Sequence, residues 1–195
     1  MPNYSSCVIF YYDNYKFFVS TVDNLPSHIL LQSNLSNCRY IKNFYHVIFE
    51  KDPFIKNHLS KEFLSRCIVL RNEPENYTDI VKIVDDQASC ISYLFMRPAY
   101  PFLQYEKIEY GFDILQKTDK NKIFFGRLIK SYNSDKQSVE VVPSILPDLF
   151  IIHYNLLYND HKENTFFVEL SLVETLNLCE PQEYELIANV SKKEE

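Results

Sequence analysis

Two glycines, Gly111 and Gly126, are all that 195 residues contain, and this restricts the available folds and sites more than any motif does. An average chain carries about 7% glycine, roughly a dozen residues at this length. Phosphate-cradling loops and dinucleotide turns need glycine, because only it lets the backbone take φ above zero and approach a ligand closely. The sequence therefore holds no P-loop, no GxGxxG turn, no GxSxG elbow and no EF-hand loop. It argues against the large enzyme classes built on such loops.

Both glycines fall in one stretch, EKIEYGFDILQKTDKNKIFFGRLIKS, from Glu106 to Ser131. A loop centred on Thr118 and Asp119 makes it a β-hairpin, with Ile114 facing Ile123, Phe112 facing Phe125, Tyr110 facing Arg127 and Ile108 facing Ile129. One face is then almost wholly apolar, as in a half-buried antiparallel pair. The other face sets Gly111 opposite Gly126, leaving room for an aromatic ring or a helix of the same chain, or for a ligand, to sit on bare backbone.

A second hairpin is expected over Cys7–Ser20, CVIFYYDNYKFFVS, turning at Asp13 and Asn14. Apolar residues occupy both of its faces, so these strands should be covered on both sides. Asp23 or Asn24 then caps a short helix entered through Pro26, and YIKNFYHVIF, residues 40–49, reads as a strand. Asp52 followed by Pro53 starts a helix with Ile55, Leu59, Phe63 and Cys67 at i, i+4 spacing. Another spans about 74–94 with Tyr77, Ile80, Val81, Val84, Ala88 and Ile91 on one side, and Asn76 with Asp79 offers an alternative start.

RPAYPFLQY, residues 97–105, carries two prolines and reads as an extended connector. QSVEVVPSI, LFIIHYNLLY, TFFVELSLVETL and EPQEYELIANV read as strands, with breaks at Pro143 and Pro147. The expected fold is α+β: a mainly antiparallel sheet from the two hairpins and the carboxyl-terminal strands, with helices near 53–67 and 74–94 grouped on one side. Residues 1–190 form one compact domain, comprising a mixed half 1–96, a connector 97–105 and an all-β half 106–190, followed by a solvated tail 191–195.

With 15 phenylalanines and 15 tyrosines the chain can fill a core, and its formal charge of −6 comes without a basic block. That balance makes nucleic acid an improbable partner. Cys7, Cys38, Cys67, Cys90 and Cys179 form no CxxC pair, so they read as small buried thiols of an intracellular protein, in cytoplasm or nucleus. No apolar run reaches the roughly 18 residues of a membrane span, and the amino terminus lacks the layout of a signal peptide.

His28, His46, His58, His153 and His161 stand at no ligand spacing, so no metal and no cofactor is expected. Four carboxylates, Glu109, Asp113, Glu140 and Glu169, lie in expected strands. Converging, they could hold a divalent cation for a metal-dependent phosphohydrolase or nuclease; alternating on a solvent face, they would do nothing. Aromatics beside lysine, in YYDNYKFF and NKIFFGRLIK, suit single-stranded nucleic acid or simply a sheet core. The reading that follows is a non-catalytic protein-interaction subunit of an intracellular assembly, contacting other protein chains through Tyr11, Phe18, Tyr100, Phe102 and Tyr105.

Overall fold

The computed structural model describes residues 5–13, 16–19, 21–22, 25–49, 59–72, 74–134, 137–158 and 162–191. Strand β1 (Ser6–Tyr12) is buried at every position. A strand covered on both faces loses its polar alternation, and SCVIFYY shows that loss. The chain does not turn back on itself afterwards: Lys16–Val19 is a short helix, α1. The expected first hairpin is thus replaced by a lone central strand whose neighbours come from far along the chain.

After the small β2 (Thr21–Val22) and β3 (Leu25–Pro26) pair, helix α2 (Ser27–Leu35) starts directly behind Pro26. It leads into β4 (Ile41–Phe49), parallel to β1. The expected helix 53–67 begins outside the described residues. Its described part is only α3 (Lys61–Leu64), capped by Ser60, and Cys67 already opens β5 (Cys67–Leu70), parallel to β4. Helix α4 (Tyr77–Ala88) starts at the Asn76 cap, whose side chain accepts from the Asp79 amide, and ends at Ser89 in the left-handed region. It stops short of residue 94 because β6 (Ser92–Met96), buried throughout, runs parallel to β1 there.

Residues 106–117 are not a strand. Helix α5 (Tyr105–Lys117) buries Ile108, Gly111, Phe112 and Leu115, while Tyr110, expected in the hairpin's apolar face, is half exposed. Both periods fit this stretch, and packing against the sheet selects the helical one. Gly111 costs helix stability, about 1 kcal/mol relative to alanine, but a Cβ there would lie 2.9 Å from Ile151 Cδ1 and Phe125 Cζ. The glycine lets α5 lie close on the sheet, and it does not face Gly126.

The antiparallel ribbon exists one element later, between β7 (Lys122–Asn133) and β8 (Ser138–His153). Gly126 follows a bulge there, and a Cβ on it would overlap the Ser144 carbonyl. Strand β8 runs through Pro143 with no break, and Pro147 lies where its pairing with β7 shifts register, between Gly126–Ile145 and Phe124–Phe150. The segments expected to be further strands are helix α6 (Asn155–Tyr158), strand β9 (Thr165–Glu169), a 3-10 turn (Val173–Thr175) and helix α7 (Pro181–Ser191). The second half is therefore mixed, and residues 192–195 lie outside the described residues.

The main sheet has seven strands in the order β5-β4-β1-β6-β8-β7-β9. Every neighbouring pair is parallel except those made by β8. Helices cover both faces. Leu31 and Leu35 of α2 and Ile108 and Phe112 of α5 pack with Val8, Phe10 and Leu94 on one side; Ile80 and Val84 of α4 and Leu157 of α6 pack with Ile9, Val47 and Phe95 on the other. The mainly antiparallel α+β expectation gives way to a three-layered, mostly parallel α/β sheet. Parallel neighbours need long crossovers, and helices supply them. Cys7 and Cys90 are bonded, tying β1 to the segment before β6, while Cys38, Cys67 and Cys179 are not part of a disulfide. Among the described residues no helix is long and apolar enough to cross a membrane.

Candidate active site at the carboxyl ends of the strands

The chain builds outward from β1 to β4 and β5, then crosses back through α4 to place β6 on the other side of β1. Such a reversal leaves a crevice beyond the carboxyl ends of the two central strands, where open α/β sheets bind ligands. Asp13 follows β1 at that end and Arg97 follows β6. Antiparallel β8 enters the sheet beside them with Asp148, next to the Leu149–Met96 pairing. Three adjacent strands thus each deliver one charged side chain to one spot.

Arg97 joins them. Its Nε donates to Asp13 Oδ1 at 2.9 Å and its Nη1 to Asp148 Oδ2 at 3.2 Å. Tyr100 donates its hydroxyl to Asp148 Oδ1 at 2.5 Å, and the Arg97 guanidinium lies 5.4 Å from the Phe17 ring centroid. The Arg97 side chain is 19% exposed and that of Asp148 5%. Burial works against the Arg97 charge, and the two carboxylates outweigh it, so its pKa is raised. Burial raises the Asp13 pKa, and the opposing pull of Arg97 does not cancel this. Burial and then the Asp148 charge push the Tyr100 phenol well above its usual value.

Asp13 also lines a cavity of about 590 Å³ with Tyr11, Phe49, Pro74, Glu75, Asn76 and Tyr77. Small-molecule pockets commonly enclose about 300–1,000 Å³. Tyr77 is stacked on Phe95 at 4.7 Å, which in turn stacks on Phe150 at 5.1 Å. One end of the crevice is thus charged and the other aromatic, with the amino terminus of α4 at its rim.

The carboxylates singled out in the sequence are elsewhere. Glu109 and Asp113 sit on α5 and hold Arg39, at 3.6 and 2.6 Å. Glu140 pairs across from Ser131 and Glu169 from Gly126 on β7, about 16 Å apart along that strand at the usual rise. Among the described residues no three His, Cys, Asp or Glu side chains gather to hold a metal. His46 instead bonds the Tyr12 hydroxyl at 2.7 Å, and its pKa is lowered to about 4 by burial and then by His28. His153 takes the Asn155 amide; His58 and His161 lie outside the described residues. Cys67 donates to the Phe63 carbonyl, and burial pushes its thiol up to about 12.

The aromatics expected on an interface are mostly interior: Tyr11 and Tyr100 are buried, and Phe18, Phe102 and Tyr105 pack against the clusters beneath them. Sequence reasoning passed over Asp13 as a turn residue and Arg97 and Asp148 altogether. Their one local signal is shared. Each is a charged residue at the tip of a wholly buried strand segment.

No family model and no curated protein matches the sequence. Solved structures do match its fold. Superposition on 4-diphosphocytidyl-2C-methyl-D-erythritol synthase from Anaerococcus prevotii gives a TM-score of 0.68 over 97% of each chain at 11% identity. CMP:2-keto-3-deoxy-manno-octonic acid synthetase complexed with CTP gives 0.67 over 98% of this chain and 99% of that one, also at 11% identity. A further 4-diphosphocytidyl-2C-methyl-D-erythritol synthase gives 0.66, covering 95% and 97%, at 8% identity. The expectation of a non-catalytic interaction subunit is corrected by this likeness and by the crevice: over nearly its whole length the chain shares the fold of these synthases and this synthetase.

Proposed function

We propose that this chain is a nucleotidyltransferase that binds a nucleoside triphosphate in the crevice beyond β1 and β6. The observation that carries the reading is the Asp13–Arg97–Asp148 row at the topological switch point, whose Asp13 lines an aromatic cavity. The likeness in fold to a synthetase complexed with CTP supports the same assignment. The base enters the aromatic end, between Phe49 and Tyr77, and the phosphates reach toward Arg97.

Without glycine after β1, the backbone does not wrap the phosphates, and side-chain charge takes over that role. An acceptor hydroxyl oxygen attacks the α-phosphorus; the bond from that phosphorus to the oxygen bridging to the β-phosphate breaks, and pyrophosphate leaves. Asp13, already disposed to hold a proton by its burial, takes the hydroxyl proton. Arg97 faces the charge that accumulates on the phosphoryl oxygens. Nucleoside triphosphates place the protein inside the cell, in the cytoplasm. The Cys7–Cys90 bond is compatible with that, because its burial denies access to exchanging thiols.

Titration calorimetry with magnesium CTP, then with the other triphosphates, tests the reading. Binding in the micromolar to low-millimolar range, lost on Arg97→Met in a protein that keeps its circular dichroism, is the expected result. Absence of binding by all four triphosphates at 5 mM, roughly the weak limit of such affinities, overturns it.

A further inference from the structure

A second cavity, of about 720 Å³, lies at the opposite end of the strands, where β8 finishes and β7 and β9 begin. His153, the last residue of β8, lines it and stands five residues beyond Asp148, about 17 Å from the crevice at the usual strand rise. Asn121 and Asn164 join its two loops. The Asn164 backbone amide donates to Asn121 Oδ1 at 2.8 Å, the Asn121 backbone amide to the Asn164 carbonyl at 2.9 Å, and Asn121 Nδ2 to the Lys162 carbonyl at 3.1 Å. The walls are thus held in place by the chain itself, which lowers the ordering cost of binding.

The acids of this cavity are engaged and its donors are not. Asp119 accepts from Asn164 Nδ2 at 2.9 Å, and Glu163 pairs with Lys122 at 2.7 Å. Lys120 gives one ammonium proton to Asn164 Oδ1 at 2.6 Å and makes no ion pair among the described residues. The Lys162 side chain makes no bond there at all. His153 accepts the Asn155 backbone amide at Nδ1, 3.3 Å away, which puts the proton of the neutral ring on Nε2. Neither that N–H nor the Asn155 side-chain amide has a partner among the described residues. Among the described residues the wall carries no phenylalanine or tyrosine, and Leu115 is its one apolar side chain.

We infer that this cavity is a second binding site, for a small phosphate ester without an aromatic ring. A phosphate monoester brings close to two negative charges and three strong acceptor oxygens, which match the ammonium groups of Lys120 and Lys162 and the Nε2–H of His153. A carboxylate has one charge and two oxygens, and leaves part of that set unused. Asn155, with a donor and an acceptor on one side chain, suits a hydroxyl of the ester. A nucleobase would find no phenylalanine or tyrosine ring to stack on. At its distance from Asp148 the ester is an effector and not a reactant, and the site stands independently of the nucleotide reading.

Titration calorimetry of the full chain with glycerol 3-phosphate tests this, with glycerate and glycerol in parallel. Glycerol 3-phosphate should bind with a dissociation constant of about 1 mM, glycerate more weakly and glycerol not at all. Lys162→Met should weaken the phosphate ester about tenfold, as the loss of one charge-assisted bond does. That variant keeps its fold, because the Lys162 side chain bonds nothing among the described residues; Lys120→Met should weaken binding to a similar degree. Magnesium CTP at about 5 mM should leave the titration unchanged, whether or not CTP itself binds in the crevice. No binding of glycerol 3-phosphate at about 10 mM, tenfold above the expected constant, overturns the inference. So do equal binding of glycerate, indifference to both lysine variants, or displacement by CTP, which would put the phosphate in the crevice.

Discussion

Arg39 and Arg97 make the same set of contacts in two different places. Each bridges two carboxylates, Glu109 with Asp113 in one case and Asp13 with Asp148 in the other, and each lies over an aromatic ring, Tyr40 or Phe17. The Arg39 side chain is 57% exposed, at a helix surface; that of Arg97 is mostly buried where β1 and β6 end and β8 passes. Water screens the first cluster and competes for every bond in it. The second is held in a low-dielectric crevice, where two carboxylates at short range keep the guanidinium charged and fixed in place. Chemistry alone did not distinguish them; topology does.

The sharpest way to break the comparison is to remove each arginine in turn. Arg97→Met leaves the Asp148 carboxylate, which is nearly sealed from solvent, without its countercharge and with only the Tyr100 hydroxyl bonded to it. Removing one partner of a buried pair costs about 3–5 kcal/mol, so the urea midpoint should fall steeply. Arg39→Met leaves Asp113 with the Tyr40 hydroxyl and Lys117, in contact with water, and its midpoint should hardly move. Equal losses in the two variants would mean that burial does not separate the clusters.

The sequence showed the exposed cluster because its carboxylates are local. Glu109 and Asp113 lie four residues apart and catch the eye in any periodic reading; Asp13, Arg97 and Asp148 are brought together only by the strand order. For the fold, β1, β4 and the Asn76 start of α4 were legible, since an unbroken apolar run and a side-chain cap are local signals. The stretch 106–117 was not: Ile108, Tyr110, Phe112 and Ile114 fit a strand, Ile108, Gly111, Phe112 and Leu115 fit a helix, and contact with Phe125 and Ile151 decides. Pro143 reads as a break, yet β8 passes through it; Pro147 falls where the β7–β8 register shifts. Glycine scarcity argues against enzyme classes built on glycine loops, but it excludes only sites walled by bare backbone, whereas this crevice is walled by side chains.

Acid titration gives a smaller effect with opposite signs. Asp113 has its pKa lowered to about 2: burial pushes it up, but bonds from Tyr40, Lys117 and Arg39 more than offset that. A depressed carboxyl contributes stability above its unfolded pKa, about 3.9, and loses it as pH falls toward 2. Asp113→Asn should therefore cost at most about 1 kcal/mol at pH 6 after solvent screening, and the difference should fade in acid. The raised Asp13 works the other way, since its native state favours the protonated form and wild type loses stability relative to Asp13→Asn as pH climbs through its folded pKa. Urea midpoints from pH 2 to 6 would show the two differences changing in opposite directions, and a common direction would refute the assigned environments.

Salt gives the smallest and most selective contrast. The Debye length shrinks from about 10 Å at 0.1 M to about 3 Å at 1 M, and what shrinks with it is attraction that passes through solvent. The Arg39 cluster is reached by ions from the surface, so the slight difference between wild type and Arg39→Met should vanish between these concentrations. In the Asp13–Arg97–Asp148 row Asp13 meets the cavity, but Asp148 is nearly sealed and bonded to Tyr100, so its contact with the guanidinium is screened little by salt. The larger deficit of Arg97→Met should then persist in 1 M sodium chloride to within the error of the midpoints. Were that deficit to decay with salt as the Arg39 difference does, ions would be screening the contact between Arg97 and Asp148, and burial would not be what separates the two clusters.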